Sequence, residues 1–333
     1  MEMFAFSEAA GVEDAIRAGA ESGTAQQGAR VRFVAGGTTL LDLMKLDVER
    51  PLAVVDINGL PLDTVTKLTD GRLKIGALVR NSDLAYHPDV RSNYAVLSQA
   101  LLSGASAQLR NMATTGGNLL QRTRCMYFRN RALPCNKREP GSGCSAIEGE
   151  NRSLAILGTS AHCIATNPSD MNVALTALGA VIQIEGTAGK REVPIEAFFF
   201  EPGDTPEREN VLDPGDLVTS VTLPPPPQNC SQVYLKLRDR ASYEFALASA
   251  AIVASVDNGT FSYIRVALGG VASKPWRSLE AEEQLYDQPV DEASFRRAAD
   301  AALAGARPQS RNGFKLELAK RCIVHALRVA TAS

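Results

Sequence analysis

The chain has 333 residues, of which 45% are hydrophobic, and a formal net charge of −2. This length suits two or three domains with sizeable cores, and the charge balance excludes the basic excess by which proteins bind nucleic acids or anionic membranes. The longest stretch of low polarity, residues 245–256, is too short to span a bilayer. The first residues show neither a basic segment followed by an apolar one nor a twin arginine, so we expect no export signal. A cytoplasmic location, or a periplasmic one reached by co-export with a partner, agrees with this.

Residues 1–57 alternate between strand and helix patterns. Strands are predicted at residues 3–6, 31–35 and 52–57, and the segments between them carry apolar residues at helical spacing. Strands that alternate with helices form parallel sheets. We therefore predict a βαβαβ lobe with a small parallel sheet.

Residues 58–223 have an α+β pattern. Residues 82–103 are predicted helical with an interruption near His87 and Pro88, and residues from about 121 to 165 form an irregular insertion rich in cysteine, proline and glycine. Strands are predicted at residues 73–79, 154–158, 181–185 and 217–223.

A run of four prolines, Pro224 to Pro227, marks a domain boundary because it continues neither a strand nor a helix. Residues 228–333 are then predicted as a third α+β unit, with a hairpin turn at Asn258-Gly259. Its predicted strands are 232–237, 246–256 and 261–268, and its predicted helices are 278–286, 291–305 and 312–330.

Two glycine pairs beside small hydroxyl residues are candidate phosphate-binding loops. The first spans Arg32 to Leu40 and joins a strand to a helix; the second spans Thr114 to Asn118. Glycines let backbone amides approach an anion. Each loop taken alone is equally well interpreted as a tight turn, but a dinucleotide pyrophosphate needs donors on both sides, so the pair favours a dinucleotide.

Four of the six cysteines, Cys125, Cys135, Cys144 and Cys163, lie in or beside the irregular insertion. Four thiolates can ligate a [4Fe–4S] cluster. A structural zinc site is an alternative, although such sites favour short Cys-x2–4-Cys spacings that are absent here. Buried free thiols are a third alternative, and spacing alone leaves all three open.

Two further motifs have a structural and a functional interpretation. In Asn167-Pro168-Ser169-Asp170, the side chain of Ser169 or of Asp170 could cap the following helix. Alternatively, the Asp170 carboxylate could bind ribose or ribityl hydroxyls. The alternating Lys236, Arg238 and Arg240 indicate a solvated strand face or a cofactor contact. The three histidines form no metal-binding or catalytic-triad pattern.

Taken together, these motifs resemble the FAD-binding subunits of molybdenum hydroxylases, a family that includes xanthine dehydrogenases, carbon monoxide dehydrogenases and aldehyde oxidoreductases. Within it the sequence is most similar to the flavin subunits of the periplasmic-type bacterial aldehyde oxidoreductases. The resemblance covers nearly the whole chain, and its carriers are residues 33–42, 75–77, 108–111, 113–119, 168–170 and 236–240.

This resemblance implies a fold and a cofactor site. The fold is a two-lobed PCMH-type FAD-binding domain, residues 1–57 and 58–223, followed by a C-terminal domain of a small antiparallel sheet and helices, residues 228–333, like that of the carbon monoxide dehydrogenase flavoprotein. The residues that it assigns to FAD are Arg32, Phe33, Val34, Ala35, Gly36, Gly37, Thr38, Thr39, Leu40, Thr114, Thr115, Gly116, Gly117, Asn118, Asp170, Lys236 and, across a gap in the match, Leu217.

The insertion departs from the ordinary family pattern, in which the second glycine loop runs directly to the aspartate. Flavin subunits of 4-hydroxybenzoyl-CoA reductase and of the periplasmic-type aldehyde oxidoreductases have a similar insertion that binds [4Fe–4S]. The resemblance therefore implies that Cys125, Cys135, Cys144 and Cys163 ligate such a cluster.

The implied function is electron transfer within an oxidoreductase complex, with no catalytic acid, base or nucleophile in this chain. The expected partners are a molybdopterin-binding large subunit, a [2Fe–2S] small subunit and an external electron acceptor, most simply as a heterotrimer. One rival is a stand-alone flavin oxidase of the vanillyl-alcohol-oxidase type, which often tethers flavin through His or Cys, and another is a zinc-binding scaffold.

Overall fold

Three β-sheets follow one another along the chain in the computed structural model, which describes residues 1–332. The first contains β1 (Ala5–Glu8), β2 (Val31–Val34) and β3 (Ala53–Asp56), joined by α1 (Val12–Ala20) and α2 (Leu40–Lys45). Its order is β1-β3-β2 and both pairings are parallel, which confirms the predicted sheet. Strand β1 begins two residues after its predicted start.

The second sheet is antiparallel throughout, in the order β4-β5-β8-β6-β7. Its strands are β4 (Val65–Lys67), β5 (Leu73–Gly76), β6 (Val181–Gly186), β7 (Gly189–Pro194) and β8 (Leu217–Leu223). The helices of this region are α3 (Asn81–Tyr86), α4 (Pro88–Asn93), α5 (Ala95–Ser103), α6 (Ala107–Met112), α7 (Thr115–Leu119), α8 (Met126–Arg129), α9 (Ser145–Glu148), α10 (Asp170–Leu178) and α11 (Ile195–Phe198). The predicted interruption at Pro88 is confirmed, because α3 ends and α4 begins there.

The third sheet, in the order β12-β11-β10-β9, is also antiparallel. It consists of β9 (Ser231–Leu237), β10 (Ala248–Asp257), β11 (Thr260–Gly269) and β12 (Trp276–Arg277), with α12 (Leu279–Glu283), α13 (Glu292–Ala302) and α14 (Phe314–Thr331) after it. The predicted hairpin turn is confirmed: Asn258 and Gly259 have φ values of 51° and 80°, as a type I′ turn requires. Alternate side chains of β10 enter two different cores, so both of its faces are buried.

The strand predicted at residues 154–158 is wrong. These residues form only an isolated bridge from Leu157 to Ala272, and the Ile156 and Leu157 amides donate to Val271 O. Both apolar side chains are buried in the core of the third sheet and its helices. Ile156 and Leu157 therefore attach the insertion to the C-terminal region by packing into its core.

The insertion is otherwise irregular, as predicted, with only the short helices α8 and α9. Its own core contains the four clustered cysteines and Phe128, together with Leu43 and Val48 of the first region. Lys315 of α14 holds residues 153 and 154 of the insertion against the C-terminal region. Its buried Nζ donates to Ser153 O, Leu154 O and Gly270 O at 2.6–3.0 Å. Among residues 1–332, none of the helices combines the length and apolar composition that crossing a lipid bilayer requires.

Candidate functional site

The first glycine loop packs directly against the backbone that leads into the second. A Cβ atom added at Gly36 would lie 1.9 Å from Met112 O and 2.6 Å from its carbonyl carbon. Gly37 has a φ of +70°, which other residues rarely adopt. Both glycines are thus required by the geometry of the loop itself, whatever binds there.

The backbone amides of the first loop have no hydrogen-bond partner among the described residues. From residue 36 to residue 40 they donate no hydrogen bond to any acceptor within residues 1–332, and the Thr39 hydroxyl makes no capping bond to α2. Consecutive unpaired amides form a concave site for anions. Because α2 has only six residues, these amides rather than a helix dipole must supply the attraction.

The second loop is held mainly by its own hydrogen bonds. Thr114 caps α7 by accepting from the Gly117 amide at 3.2 Å. The Thr115 hydroxyl donates to Val79 O at 3.1 Å, which turns it away from the first loop. The second loop therefore presents a rigid wall of small residues opposite the free amides.

Two open clefts, of about 1240 and 1060 Å³, meet at the glycine loops. They share Thr38, Thr39, Ala113 and Gly117 at their junction. Every residue that the sequence assigned to FAD lines one cleft or the other, except Thr115. The first cleft continues past Leu217, and the second runs to Asp170 and Lys236.

Asp170 and Lys236 form a buried ion pair in the wall of the second cleft. Lys236 Nζ lies 2.8 Å from Asp170 Oδ2, and the two side chains are 3% and 8% exposed. Tyr234 Oη also donates to the carboxylate, while Ser169 caps α10 by accepting from the Asn172 amide. The capping interpretation thus holds for Ser169, and the Asp170 carboxylate lies at the cleft.

The four clustered cysteines line one small cavity, hereafter the cysteine cage. Cys135 and Cys144 face each other in an antiparallel bridge, and Cys125 and Cys163 are buried beside them. Burial raises the pKa of the Cys125 thiol to about 12 and also raises the pKa values of Cys144 and Cys163. These three thiols are therefore neutral until a metal displaces their protons.

Within residues 1–332, no three His, Cys, Asp or Glu side chains are arranged around a point that a single metal ion could occupy. A single zinc ion bonds sulfur at about 2.3 Å, which requires its ligands to lie within about 4 Å of each other. The described residues therefore present no single-ion arrangement of the four cysteines.

Several residues at the clefts escaped the sequence analysis. Arg122 lines the first cleft, and Arg124, Tyr243 and Phe245 line the second. The two arginines between the second glycine loop and Cys125 were the available signal, because basic residues between two ligand sites suit anionic ligands. The segment around Tyr243 carries no local signal.

Arg122 belongs to a buried charge network. Its guanidinium contacts both Glu49 and Glu209, and Lys137 Nζ lies 2.9 Å from Glu209 Oε1. Burial would raise the pKa of Glu209, but the charges of Arg122 and Lys137 outweigh it and hold the pKa at about 2.

This network predicts a loss of stability in acid. Since the pKa of Glu209 lies below its ordinary 4.5, its stabilisation is present above about pH 4.5 and is lost as the pH falls toward 2. We expect Glu209→Gln to lower the free energy of unfolding by about 3 kcal/mol at neutral pH, and this difference to shrink in acid. Urea unfolding at a series of pH values measures it, with the exposed Glu283→Gln as control; a difference independent of pH would contradict the prediction.

Comparison with known proteins identifies the family. Residues 2–226 match the FAD binding domain in molybdopterin dehydrogenase, and residues 233–330 match the CO dehydrogenase flavoprotein C-terminal domain. The chain belongs to the FAD-binding subunits of the molybdenum hydroxylases. It is 51% identical over 93% of its length, and 94% of the relative's, to the aldehyde oxidoreductase FAD-binding subunit PaoB of Escherichia coli (strain K12).

More distant relatives of this flavin subunit agree. The glyceraldehyde dehydrogenase medium chain of Sulfolobus acidocaldarius is 28% identical over 78% of the present chain and 75% of its own. The carbon monoxide dehydrogenase structure from Hydrogenophaga pseudoflava matches with a TM-score of 0.77 and 25% identity over 99% and 98% of the two chains. The predicted fold class is thereby confirmed.

The clefts fit the cofactor of a flavin subunit. The free amides of residues 36–40 suit a pyrophosphate, and the clefts extend to both sides of them as an elongated dinucleotide requires. When bound, FAD supplies redox chemistry that can take up two electrons and release them singly.

The Asp170–Lys236 pair gives a test of the second cleft. Lys236→Met leaves a buried carboxylate without its counter-ion, so we expect a loss of about 3–5 kcal/mol in unfolding free energy together with lower FAD occupancy. Lys190→Met, which removes a lysine 80% exposed and paired with Glu185, should cost at most about 1 kcal/mol. Chemical denaturation and flavin content measure both effects, and equal behaviour of the two variants would contradict a buried role for Lys236.

Proposed function

We propose that this chain is the FAD- and [4Fe–4S]-containing subunit of a molybdenum-dependent aldehyde oxidoreductase. It receives electrons from a [2Fe–2S] small subunit and passes them to an external acceptor, while a molybdopterin-binding large subunit oxidises the aldehyde. The observation that carries the proposal is the pair of clefts meeting at five unpaired amides, close to a cage of four cysteines.

The FAD contacts follow from the lining of the clefts. The pyrophosphate lies at residues 36–40, between the lobes of residues 1–57 and 58–223. Leu217 contacts the part of FAD in the first cleft, and Asp170 and Lys236 bind the part in the second. Residues of the region 228–332 partly cover this second cleft. Thr115 acts only indirectly, through its bond to Val79 O.

The cysteine cage supports a cluster over a single ion. In [4Fe–4S] each thiolate binds a different iron, so the four sulfurs stand apart around a common cavity. The cage gathers all four cysteines around one cavity, and their spacing lacks the short Cys-x2–4-Cys pairs that structural zinc sites favour. Cys144 is the least buried of the four. The cluster is proposed to lie on the acceptor side of FAD, because the resemblance implies that ordinary family members work without the insertion.

The rival flavin-oxidase reading is disfavoured by the clefts. No histidine or cysteine is among the described residues that line either one, so the usual covalent tethers for flavin are missing. The substrate class and the heterotrimeric assembly rest on the named relative, an aldehyde oxidoreductase subunit. Export with a partner or retention in the cytoplasm both suit the assembly.

The deciding experiment is the composition of the complex purified without oxygen. We expect one FAD per chain, released in full by acid precipitation, and a broad iron–sulfur absorption that survives when the [2Fe–2S] contribution is subtracted. Zinc in place of iron, or flavin that stays with the acid precipitate, would overturn the corresponding part of the proposal.

A further inference from the structure

A buried network of five charges connects the first cleft with the cysteine cage. Arg32 pairs with Glu49 at 2.9 Å, Arg122 bridges Glu49 and Glu209, and Lys137 pairs with Glu209 at 2.9 Å. None of these side chains is more than 23% exposed. The network therefore lies between the two ligand sites rather than on the surface.

The network has an uncompensated positive charge. It contains three cations and two carboxylates, and Glu209 is shared between Arg122 and Lys137. A buried cation with too little counter-charge is costly unless an anion lies next to it. Its unsatisfied charge thus points to an anionic ligand.

Lys137 places the excess positive charge of the network beside the cysteine cage. Its side chain is 10% exposed and lines the same cavity as all four cysteines. Among the described residues, the only other hydrogen bond of the Lys137 ammonium goes to a neutral acceptor, Pro206 O, at 2.8 Å. Arg32 and Arg122 line the first cleft instead, so Lys137 is the cation of the network that faces the cage.

We propose that Lys137 is a positioning residue that supplies a fixed positive charge to the cysteine cage and thereby raises the reduction potential of the cluster held there. This rests on the proposed function, in which the cage holds [4Fe–4S]. Four thiolates around a cluster core of charge +2 give a net charge of −2, and one electron taken from a reductant makes it −3. A neighbouring cation stabilises the more negative state, because net charge is one of the factors that set these potentials.

The test is a redox titration of the intact complex with dithionite, in which electron paramagnetic resonance follows the reduced cluster. Its faster relaxation separates this signal from those of the [2Fe–2S] centres. We expect Lys137→Met to shift the midpoint to more negative potential, and Lys137→Arg and the exposed-site control Lys190→Met to keep it. Glu209→Gln removes a negative charge from the network, so it should shift the midpoint in the opposite direction.

The outcomes separate the two proposals. If the wild-type complex contains no [4Fe–4S] signal, the proposed function fails whatever Lys137 does. If the cluster is present and its midpoint is unchanged in Lys137→Met, the inference about Lys137 is overturned while the cluster stands. Should Lys137→Met assemble no cluster, Glu209→Gln decides: a positive shift supports the inference, and no shift or a negative one overturns it.

Discussion

Gly36→Ala is expected to purify with almost no FAD. The added Cβ would lie 1.9 Å from Met112 O, and the obstacle is backbone, which cannot rotate away as a side chain can. The two glycine loops must therefore separate, which costs about 1–3 kcal/mol or more and breaks the junction of the two clefts. Flavin absorbance per chain, after purification in excess FAD, measures the effect.

Two glycines provide matched controls. Gly23→Ala places its Cβ where no atom lies within 4 Å, so it should retain flavin fully. Gly117→Ala meets only the Thr114 hydroxyl oxygen, at 3.0 Å, so the fold should survive with weakened FAD binding. Unfolding midpoints of the FAD-free proteins distinguish lost binding from lost folding, and full flavin occupancy in Gly36→Ala would show that the loops do not meet as described.

Local sequence patterns predicted the strands that pair with a strand close in sequence, and the strands whose ends are marked by turn residues or prolines. Strand β8 matches its prediction at both ends, because an apolar run stops at four prolines. The β10–β11 hairpin follows from Asn258-Gly259, a dipeptide that fits its turn. By contrast, β7 was missed because it is a charged edge strand, Gly189–Pro194, without apolar alternation.

Contacts between distant segments could not be predicted. The apolar residues 154–157 suit a strand by composition, yet their partner is Val271, which follows the end of β11. Glu49, Arg122, Lys137 and Glu209 each look like an ordinary surface charge in sequence, and only the fold brings them together.

The candidate site shows the same division. The glycine loops were predicted from residue type, because free amides need small neighbours, but the reason Gly36 must be glycine is a carbonyl far along the chain, at Met112. The four cysteines were predicted to act together, and they line one cavity. Their spacing could not separate cluster, zinc and free thiol, since that choice depends on distances between sulfurs.

Cys135→Ser is expected to remove the [4Fe–4S] cluster while leaving FAD in place. One of four thiolates is lost, and a serine hydroxyl is a poor ligand for iron. The surrounding fold has other supports: Cys135 N donates to Ser142 Oγ, and Arg138 donates to Tyr127 O and Phe128 O. Iron content and FAD per complex measure the two cofactors, and Cys230→Ser, outside the cage, is the matched control.

The same variant tests where the cluster stands in the electron route. The resemblance implies that family members of ordinary pattern lack the insertion, so we do not expect the route from molybdenum to FAD to require it. In stopped flow, aldehyde should therefore reduce FAD in Cys135→Ser at a near-native rate. The rate of electron transfer from FAD to a one-electron acceptor should fall if the cluster carries these electrons. The rate should stay unchanged if the cluster only stabilises the fold of the insertion. A variant that keeps FAD but can no longer reduce it with aldehyde would place the cluster between molybdenum and flavin. The insertion would then belong to the main route, and the position proposed for it on the acceptor side of FAD would be wrong.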